Sequence, residues 1–380
     1  MIKVPINPKI LQWAREERNR ISIEILAERM KRDPLEIEMW ESGKDSPTYG
    51  QLEDLAYKYL KIPLAVFFFP DIPDIPDPLK KLRRLPDYEW ERLSEDTLQK
   101  IRLAQAYQDS LAIIAKDYIG KKIFKDIKAE GMSAAILANK VRKYFNITLK
   151  EQFSFKSTRS AFNRWRHIVE ERGIFTFKDT FKDKFISGFC LLDNNYPVIF
   201  INNSNSFSRQ IFTLMHELGH ILTGVNGITD IDESYLDYLN ERDKVLEIFC
   251  NEFASQLLVP DESFEEAISL FEKHGVGIVG EIATQYSVSR EVVLRRLLNK
   301  GVISESLYLE KTSEWNRDFL RHAKDKAGGN YYLTRLAYLG EGFTKIAYAQ
   351  YSKGQIDQPE LAHHLNIKAK YLDNLLGIVR

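Results

Sequence analysis

Apolar positions recur at helical spacing through the first seventy residues, which predicts a set of short helices. Ser22 can cap the second of these helices and Asp33 the third, where Pro34 would occupy the first turn. Glu36 is placed to close a capping box with Asp33. Because short helices joined by a tight turn form a helix-turn-helix, we predict such a domain over residues 1–70.

The segment after residue 70 has the composition of a stiff linker. Residues 70–78 read PDIPDIPDP, in which prolines alternate with acidic and aliphatic residues, so an extended conformation is expected. A short basic run follows, and we assign residues 71–93 to a Pro-rich linker and basic segment. The basic run is interpreted as a solvated edge of the linker, and a phosphate or partner contact is the alternative.

The pattern beyond residue 93 predicts long helices around a few strands. Helical spacing recurs in three stretches, at 94–118, 133–145 and 157–173. Strands are predicted over 174–178, 186–192 and 197–201. Turn residues separate the last two strands and favour a β-hairpin. The expected fold class is α+β and mostly helical, with a small antiparallel sheet in a core over 94–262 and a helical C-terminal region over 263–380.

The spacing of a helix-turn-helix occurs three times along the chain. Ala27, Ala283 and Ala362 each begin an alanine-x-x-apolar step, and each has a further apolar residue ten positions later. This repetition indicates the same turn between two helices at three places. Ordinary helix hairpins are the alternative for the two C-terminal copies.

Composition sets limits on the class of protein. A chain of 380 residues is long enough for two or three domains, and 44% hydrophobic with 28% charged residues is typical of soluble globular protein. The 54 basic and 54 acidic residues cancel, so any nucleic-acid surface must be a local patch. Two cysteines, no signal-peptide pattern and no apolar run near the ~20 residues of a membrane span predict a cytoplasmic protein without disulfides.

Metal chemistry is suggested by the segment FTLMHELGHIL at 212–222. His216 and His220 are four residues apart, so they share one helical face, where two imidazoles can bind a tetrahedral ion at ~2.0–2.1 Å. Glu217 lies beside them and can take a proton from the attacking water and pass it to a leaving amine. Burying these groups among apolar neighbours would be costly without an ion, and a satisfied pair of core histidines is the alternative. Zn²⁺ is favoured by these donors, and Mn²⁺ tolerates them.

A third metal ligand is expected from the segment EIFCNEFASQLLVP at 247–260. Glu247 and Asn251 share one helical face, so Glu247 could bind the ion while Asn251 orients a ligand by a hydrogen bond. Glu252 lies on a different face and is the rival ligand, and a solvated charge is the alternative for Glu247. Three residues are candidates for the oxyanion donor: Arg209, Tyr235 and Tyr238.

Several of these segments resemble the ImmA/IrrE family of metallopeptidases. The resemblance is strongest for RQIFTLMHELGHIL at 209–222 and for the E-x-x-x-N-x-F-A-x-x-L-L-x-P pattern at 247–260. It extends to YSVSREVVLRRLLNKGVIS at 286–304. Residues 7–70, with WESGKDSP and LAVFFFP, resemble the N-terminal XRE/Cro-type helix-turn-helix of this family. Val259 departs from the pattern, because methionine is common before the terminal proline.

The resemblance implies a zincin-like metallopeptidase core in which His216, His220 and Glu247 bind the metal and Glu217 is the catalytic acid/base. Members of the family cleave a repressor, often under stress or in mobile elements, and some are encoded beside toxins as antitoxin-like partners. The implied function is a metal-dependent regulatory endopeptidase with a specific protein partner, such as a transcriptional repressor. Substrate selection is carried over more weakly than the ligands, because a fold does not fix a partner.

The N-terminal domain is a poor match to a strong DNA reader. The groove-facing positions of its third helix hold no arginine, lysine, asparagine or glutamine but Leu35, Glu36, Glu38 and Met39. Residues 1–62 contain eleven basic and eleven acidic residues, so this region has no net positive field. The candidates for DNA contact are the basic side chains Lys31, Arg32 and Lys44. A protein-docking or substrate-presenting role is therefore preferred for this domain.

Two hypotheses of different class follow. In the first, the chain is a regulatory endopeptidase whose helical modules select a protein substrate. In the second, it is a helix-turn-helix transcription regulator or antitoxin-like partner with a structural or rarely used metal site. The C-terminal region is expected to be an appendage that docks a partner or another subunit, for which a homodimer is one arrangement. Solvent access to Glu217 and the charge of the third helix distinguish the hypotheses.

Overall fold

The computed structural model of the chain describes residues 3–19, 21–60, 62, 64–72, 93–116, 118, 122–230, 239–322, 331–367 and 372. Residues that contact one another form two units, Met1–Lys81 and Leu82–Arg380. Most of the predicted linker and basic segment over 71–93 lies outside the described residues. No helix in the described ranges is both long enough and apolar enough to cross a bilayer.

Short capped helices make up the first unit. They are α1 (Pro8–Trp13), α2 (Ile23–Met30), α3 (Pro34–Glu41) and α4 (Tyr49–Glu53). Ser22 and Asp33 cap α2 and α3 as predicted, because their side chains accept the amides of Ile25 and Leu35. The predicted capping box at Asp33 is not formed. Its glutamate, Glu36, accepts a hydrogen bond from Gln51 instead.

A buried ion pair joins the helical segment that follows α1, Ala14–Arg18, to α3 within this unit. Arg15 donates from Nε to Glu41 Oε1 at 2.7 Å and from Nη1 to the carbonyl of Ile21 at 2.9 Å. Both charged side chains are more than nine-tenths buried. The pair lies beside a core that includes Leu11 and Trp40. Removing either partner would leave a buried charge, so the pair fixes how these helices pack.

The three predicted helix-turn-helix spacings share one backbone turn. The residue four positions after each alanine adopts the left-handed conformation, with φ of 55° at Lys31, 59° at Ser287 and 49° at Asn366. In each copy the amide five positions on donates to the alanine carbonyl, at 2.9, 2.9 and 3.0 Å. This is a Schellman-type end to a helix, and it turns the chain sharply toward the next one. The repeat in the sequence thus corresponds to a repeated helix end.

The second unit contains long helices and four short strands. Its helices are α5 (Glu95–Ile114), α6 (Ile123–Asp126), α7 (Ala134–Phe145), α8 (Leu149–Phe153), α9 (Thr158–Glu171), α10 (Phe207–Thr223), α11 (Glu241–Leu258), α12 (Asp261–His274), α13 (Val279–Tyr286), α14 (Arg290–Asn299), α15 (Glu305–His322), α16 (Tyr331–Leu339), α17 (Glu341–Ser352) and α18 (Gln358–His364). Its strands are β1 (Phe175–Asp179), β2 (Ile186–Leu191), β3 (Val198–Asn202) and β4 (Ile228–Asp230). The α+β class is as predicted.

The sheet is mixed rather than antiparallel, with strand order β1-β3-β2-β4. The predicted hairpin is present, because β2 pairs antiparallel with β3 and Gly188 lies opposite Ile201. The expectation of an all-antiparallel sheet is wrong for β1, which runs parallel to β3. The reason is that β2 runs antiparallel to β1 one position away, and the hairpin then returns β3 into the position between them. The edge strand β4 was not predicted.

The apolar core of the second unit includes residues on both sides of the division predicted at 262 and 263. Phe264 of α12, Val279 of α13 and Leu297 of α14 belong to the same apolar core as Leu214 and Leu257. A polypeptide cut between α11 and α12 would expose this shared core. The predicted helical appendage is therefore, in its first part, continuous with the core over 94–262.

The last described helices also pack on the predicted core. Arg335 of α16 donates to the hydroxyl of Tyr107 on α5 at 2.6 Å. Gln350 of α17 donates to the carbonyl of Ile114 at 2.8 Å. These contacts join α16 and α17 to α5, and docking of a partner or another subunit by residues 328–380 stays a prediction.

A second buried ion pair fastens α9 to the C-terminal helices. Arg166 donates from Nε to Glu170 Oε1 at 2.9 Å and from Nη1 to the carbonyl of Ala337 at 2.6 Å. Glu170 accepts the amide of Gly342 at 3.1 Å. Burial raises the pKa of Glu170, and Arg166 opposes that rise. The close fit extends to Gly340, where a Cβ atom would lie 2.2 Å from Arg166 Nη2.

Replacing Glu170 with alanine is expected to destabilise the second unit strongly. Glu170→Ala leaves the Arg166 guanidinium buried without its charge partner, which costs about 3 kcal/mol or more in the free energy of unfolding. The matched control is Glu171→Ala, one residue along the same helix, where the side chain is 48% exposed. Its ion pairs are at the surface, so the loss should stay below about 1 kcal/mol. Urea unfolding measures both, and equal losses would contradict this role for Glu170.

Candidate metal centre

Helix α10 places its histidines and glutamate inside the protein. Ser206 caps the helix by accepting the amide of Arg209 at 3.3 Å. The helix is buried along most of its length, and His216, Glu217 and His220 are 0%, 0% and 1% exposed. The spacing of four residues brings both imidazoles to one face, as the sequence predicts.

Helix α11 packs closely against this face because of a glycine. A Cβ atom at Gly219 would lie 3.1 Å from Phe253 and 3.2 Å from the sulfur of Cys250. A larger residue between the two histidines would push α11 away. The close approach allows the side chain of Glu247 on α11 to reach both imidazoles.

Three ligand-type atoms form a small triangle between α10 and α11. The Nε2 atoms of His216 and His220 are 3.0 Å apart. Glu247 Oε2 is 3.1 Å from His216 Nε2, and Glu247 Oε1 is 3.1 Å from His220 Nε2. Within the described part of the chain, this is the group of histidine and acidic side chains arranged to hold a metal ion.

The triangle has the dimensions of three corners of a tetrahedral site. Ligands at ~2.0–2.1 Å from a tetrahedral ion are about 3.3 Å apart, close to the observed 3.0–3.1 Å. Two imidazoles and one carboxylate also match the donor chemistry that zinc accepts. His216, His220 and Glu247 therefore fit a metal ion in both spacing and chemistry.

Asn251 fixes the orientation of His216. The Nδ1 atom of His216 lies 2.8 Å from Asn251 Oδ1. Since an amide oxygen can only accept, His216 donates from Nδ1, and in the neutral ring Nε2 keeps its lone pair toward the triangle. Sequence spacing predicted that Asn251 would orient a ligand, and the two side chains do lie in contact.

The carboxylate in the triangle favours a positive charge beside it. Burial raises the pKa of Glu247, but the attraction of His220 and hydrogen bonds from both imidazoles outweigh it and hold that pKa well below its ordinary value. Burial lowers the pKa of His220, but the negative charge of Glu247 and hydrogen bonds to Glu247 and to the Cys250 sulfur outweigh it and raise that pKa well above its ordinary value. Both directions mean that this cluster stabilises a positive charge, which a proton or a metal ion can supply.

Glu217 lies beside the triangle but outside it. Thr229 on β4 donates a hydrogen bond to Glu217 Oε1. Burial raises the pKa of this carboxyl, while the two neighbouring imidazoles oppose the rise. A carboxyl with a raised pKa can hold and release a proton nearer neutral pH than an exposed one. Thr229 was not identified from the sequence, because β4 is too short to give a periodic signal.

The rival candidate for the third metal ligand is Glu252, which is exposed and is not one of the three clustered donors. Burial raises the pKa of both thiols, that of Cys190 well above its ordinary value, so Cys190 and Cys250 are held as neutral thiols. Of the oxyanion candidates, Arg209 donates to the hydroxyl of Ser187 at 3.1 Å. The other two candidates, Tyr235 and Tyr238, lie outside the described residues.

A cleft of about 330 Å³ opens beside the triangle. Its wall includes Asn251, which contacts His216, and Thr229, which contacts Glu217. The remaining lining residues come from four helices, α10, α11, α14 and α15, or from the residue before α14: Arg209, Phe212, Ile248, Glu252, Ser255, Ser289, Glu291, Val292, Arg295, Asn299 and Tyr308. The cleft thus reaches the partners of both functional candidates on α10.

Comparison with known proteins finds similarity to metallopeptidases in this region. Residues 169–298 match the peptidase M78 family model, described as the IrrE N-terminal-like domain. Over 108 residues, 28% of this chain, the sequence is 35% identical to the radiation response metalloprotease IrrE of Deinococcus radiodurans. Over 110 residues, also 28% of the chain, it is 31% identical to the radiation response metalloprotease IrrE of Deinococcus deserti.

These matches cover 32% and 38% of the two relatives, about a third of the length of each. The family match contains all four strands, α10 and α11, so it includes the whole candidate centre. It supports the predicted resemblance to IrrE-type metallopeptidases for this region. It does not extend to residues 1–70, so the helix-turn-helix assignment remains a prediction.

The basic side chains considered for DNA contact lie on the first unit. Lys31, Arg32 and Lys44 are all exposed. Arg32 is 3.6 Å from Glu36, which offsets part of its charge. Leu35, at a position expected to face a groove, is 59% exposed. These features agree with a weak local patch, and DNA binding remains untested.

Replacing Glu247 and Glu252 of α11 separately with alanine distinguishes the proposed metal ligand from its rival. Glu247→Ala removes one corner of the triangle, so the metal affinity should fall by more than the 10- to 100-fold that an outer contact contributes. Glu252→Ala should keep the wild-type metal content, because its carboxylate lies outside the triangle. Metal content after gel filtration measures both variants. Retention of the ion by Glu247→Ala together with its loss from Glu252→Ala would reverse the assignment.

Proposed function

We propose that this chain is a metal-dependent regulatory endopeptidase that cleaves a specific protein partner, such as a transcriptional repressor. The observation that carries the proposal is the buried triangle of His216, His220 and Glu247 with a further carboxylate, Glu217, beside it. The location of this group within a matched metallopeptidase region supports the same conclusion.

The three donors of the triangle would hold the metal, with Asn251 orienting His216. Zinc is the ion that this donor set favours, and manganese is compatible with it. When bound, such an ion supplies a Lewis acid that polarises the scissile carbonyl and lowers the pKa of water toward about 7.

Glu217 would move the proton. It cannot share the face that the histidines present to the triangle, since it follows His216 directly in the helix. It accepts a hydrogen bond from Thr229 at one oxygen and also contacts the Cys190 thiol, and its other oxygen, Oε2, has no nitrogen or oxygen partner among the described residues. That second oxygen can accept a proton from the attacking water and return it to the leaving amine.

The cleft beside the triangle would hold part of the substrate. Phe212, Ile248 and Val292 contribute apolar surface, while charged and amide groups lie around them. Clefts of a few hundred Å³ with mixed lining are typical ligand sites. A polypeptide segment bound there would lie beside both Asn251 and Thr229, and so close to Glu217.

A regulatory role would follow from the choice of partner. Both curated relatives are named as radiation response metalloproteases, which favours a stress-linked protein substrate. A repressor or a toxin–antitoxin partner is the substrate class we propose. The first unit, with its exposed Leu35 and balanced charge, would then recognise a protein more readily than DNA.

One observation favours the alternative function. Glu217 is 0% exposed, and a buried acid/base group is what a structural or rarely used metal site would have. In that case the chain would act as a helix-turn-helix transcription regulator or an antitoxin-like partner. The two functions differ in whether Glu217 is needed for anything beyond the fold.

Replacing Glu217 with glutamine distinguishes these functions. Glu217→Gln keeps the shape and the hydrogen bond to Thr229 but cannot accept a proton, so cleavage should fall by roughly 10²-fold or more. The metal content should stay at the wild-type level, because the triangle is intact. The assay incubates the wild type and the variant with the product of the neighbouring gene plus Zn²⁺, and mass spectrometry detects the cut.

The cleavage rates of the wild type and the variant distinguish the endopeptidase from the alternative function. Cleavage by the wild type with loss in the variant supports the endopeptidase. Cleavage by the variant at the wild-type rate would exclude Glu217 as the acid/base and, with it, the zincin mechanism.

A further inference from the structure

The loop after α10 returns directly onto one of the two histidines. The helix ends at Thr223, and Gly224 adopts a left-handed conformation with φ of 75°. The amide of Val225 then donates to the carbonyl of His220 at 3.0 Å. The chain therefore reverses within one turn of the imidazole.

The returning segment is fixed to strand β2. Asn226 accepts the amide of Leu192 through its side chain at 2.7 Å. The carbonyl of Gly227 accepts the amide of Cys190 at 3.1 Å. Since β4 begins at Ile228 and pairs with β2, the backbone at Gly227 cannot move away from α10 without breaking these bonds.

At Gly227 the backbone lies against the face of the His220 ring. A Cβ atom there would lie 2.6 Å from Cδ2, 2.6 Å from Nε2 and 2.7 Å from Cγ of that ring. Near-equal distances to three ring atoms mean that the Cβ would meet the face of the imidazole and not its edge. All three are shorter than the 3.0 Å that real Cβ atoms respect.

His220 has less hydrogen-bond support than His216. The Nδ1 atom of His216 is held by Asn251, whereas His220 Nδ1 has no nitrogen or oxygen partner among the described residues. The polar group beside the His220 ring is the thiol of Cys250, a weak hydrogen-bonding group. Packing must therefore set the plane of this ring.

We propose that Gly227 is a positioning residue for His220: its bare backbone sets the plane of the imidazole and so directs Nε2 into the triangle. The inference rests on the proposed function, since it assigns to Nε2 the part of a metal ligand. Any side chain at position 227 would collide with the ring, and Nε2 is one of the atoms it would meet. The φ angle of Gly227 is not in the left-handed region, so its backbone conformation does not require glycine. The requirement for glycine comes from the space that the His220 ring occupies.

The first experiment measures metal affinity with Co²⁺, whose visible spectrum reports the geometry of its ligands. Gly227→Ala should weaken Co²⁺ binding by about 10- to 100-fold, the range for residues that orient a ligand, and should change the spectrum of the remaining complex. The matched control is Gly280→Ala on α13, where no atom lies within 4 Å of the added Cβ. This control should bind Co²⁺ as the wild type does. Equal affinity and an unchanged spectrum in Gly227→Ala would overturn the proposal.

The second experiment needs no metal and remains informative if Gly227→Ala is unstable. The thermal unfolding of the full chain is compared for Gly227→Ala, His220→Ala and the double variant in the presence of a chelator. If the added methyl collides with the imidazole, its effect on Tm should largely disappear when the ring is absent. An equal loss with and without the ring would show a general defect of the loop and would contradict the proposal.

The two experiments also distinguish failure of this inference from failure of the proposed function on which it rests. A wild-type chain that fails to bind Co²⁺ would overturn the proposed metallopeptidase function, and with it the role of Gly227 toward a metal. Binding by the wild type with no change in Gly227→Ala would overturn the positioning role alone.

Discussion

The second unit depends on a single electrostatic constraint, which is the burial of two imidazoles and a carboxylate within about 3 Å of one another. Nε2 of His216, Nε2 of His220 and the carboxylate of Glu247 converge on a common point. Placing such groups in an apolar helix interface is unfavourable unless a cation compensates them. The pKa of Glu247 is lowered and the pKa of His220 is raised, and both shifts show that the cluster favours a positive charge.

The surrounding fold holds these three side chains close together. Gly219 allows α11 to approach α10 closely enough for Glu247 to reach the imidazoles. Asn251 holds one ring by a hydrogen bond, and the loop at Gly227 lies against the other. Glu217 projects to one side, next to Thr229 on the edge strand. The C-terminal helices contribute indirectly, because α16 packs on β1 and the buried pair of Arg166 and Glu170 fixes its end to α9.

Local signals in the sequence predicted much of this arrangement. Helix starts at Ser22 and Asp33 follow from capping side chains, and the positions of His216 and His220 follow from the period of the helix. The three repeated helix ends were visible as a spacing of alanines and apolar residues. These features depend on neighbours in sequence, so a single chain is sufficient to find them.

Features that depend on distant parts of the chain could not be predicted in the same way. The parallel pairing of β1 with β3 is decided by which strand fills the position beside β1, and nothing local encodes that choice. Strand β4 has three residues, too few for an alternating pattern, so the contact of Thr229 with Glu217 was missed. The need for glycine at position 227 appears only when the loop is seen against the imidazole. The attachment of α16 and α17 to the core rests on contacts over more than 150 residues of sequence, such as Arg166 with Ala337.

The central claim is that one metal ion is bound by two imidazoles and one carboxylate, with both neighbouring thiols excluded. X-ray absorption at the zinc edge, on the full chain loaded with one equivalent of Zn²⁺, tests it most directly. The predicted first shell contains only nitrogen and oxygen scatterers at ~2.0–2.2 Å, with the outer-ring signature of two imidazoles. A sulfur scatterer at ~2.3 Å would place Cys190 or Cys250 on the ion and would contradict the assignment of His216, His220 and Glu247 as its protein ligands.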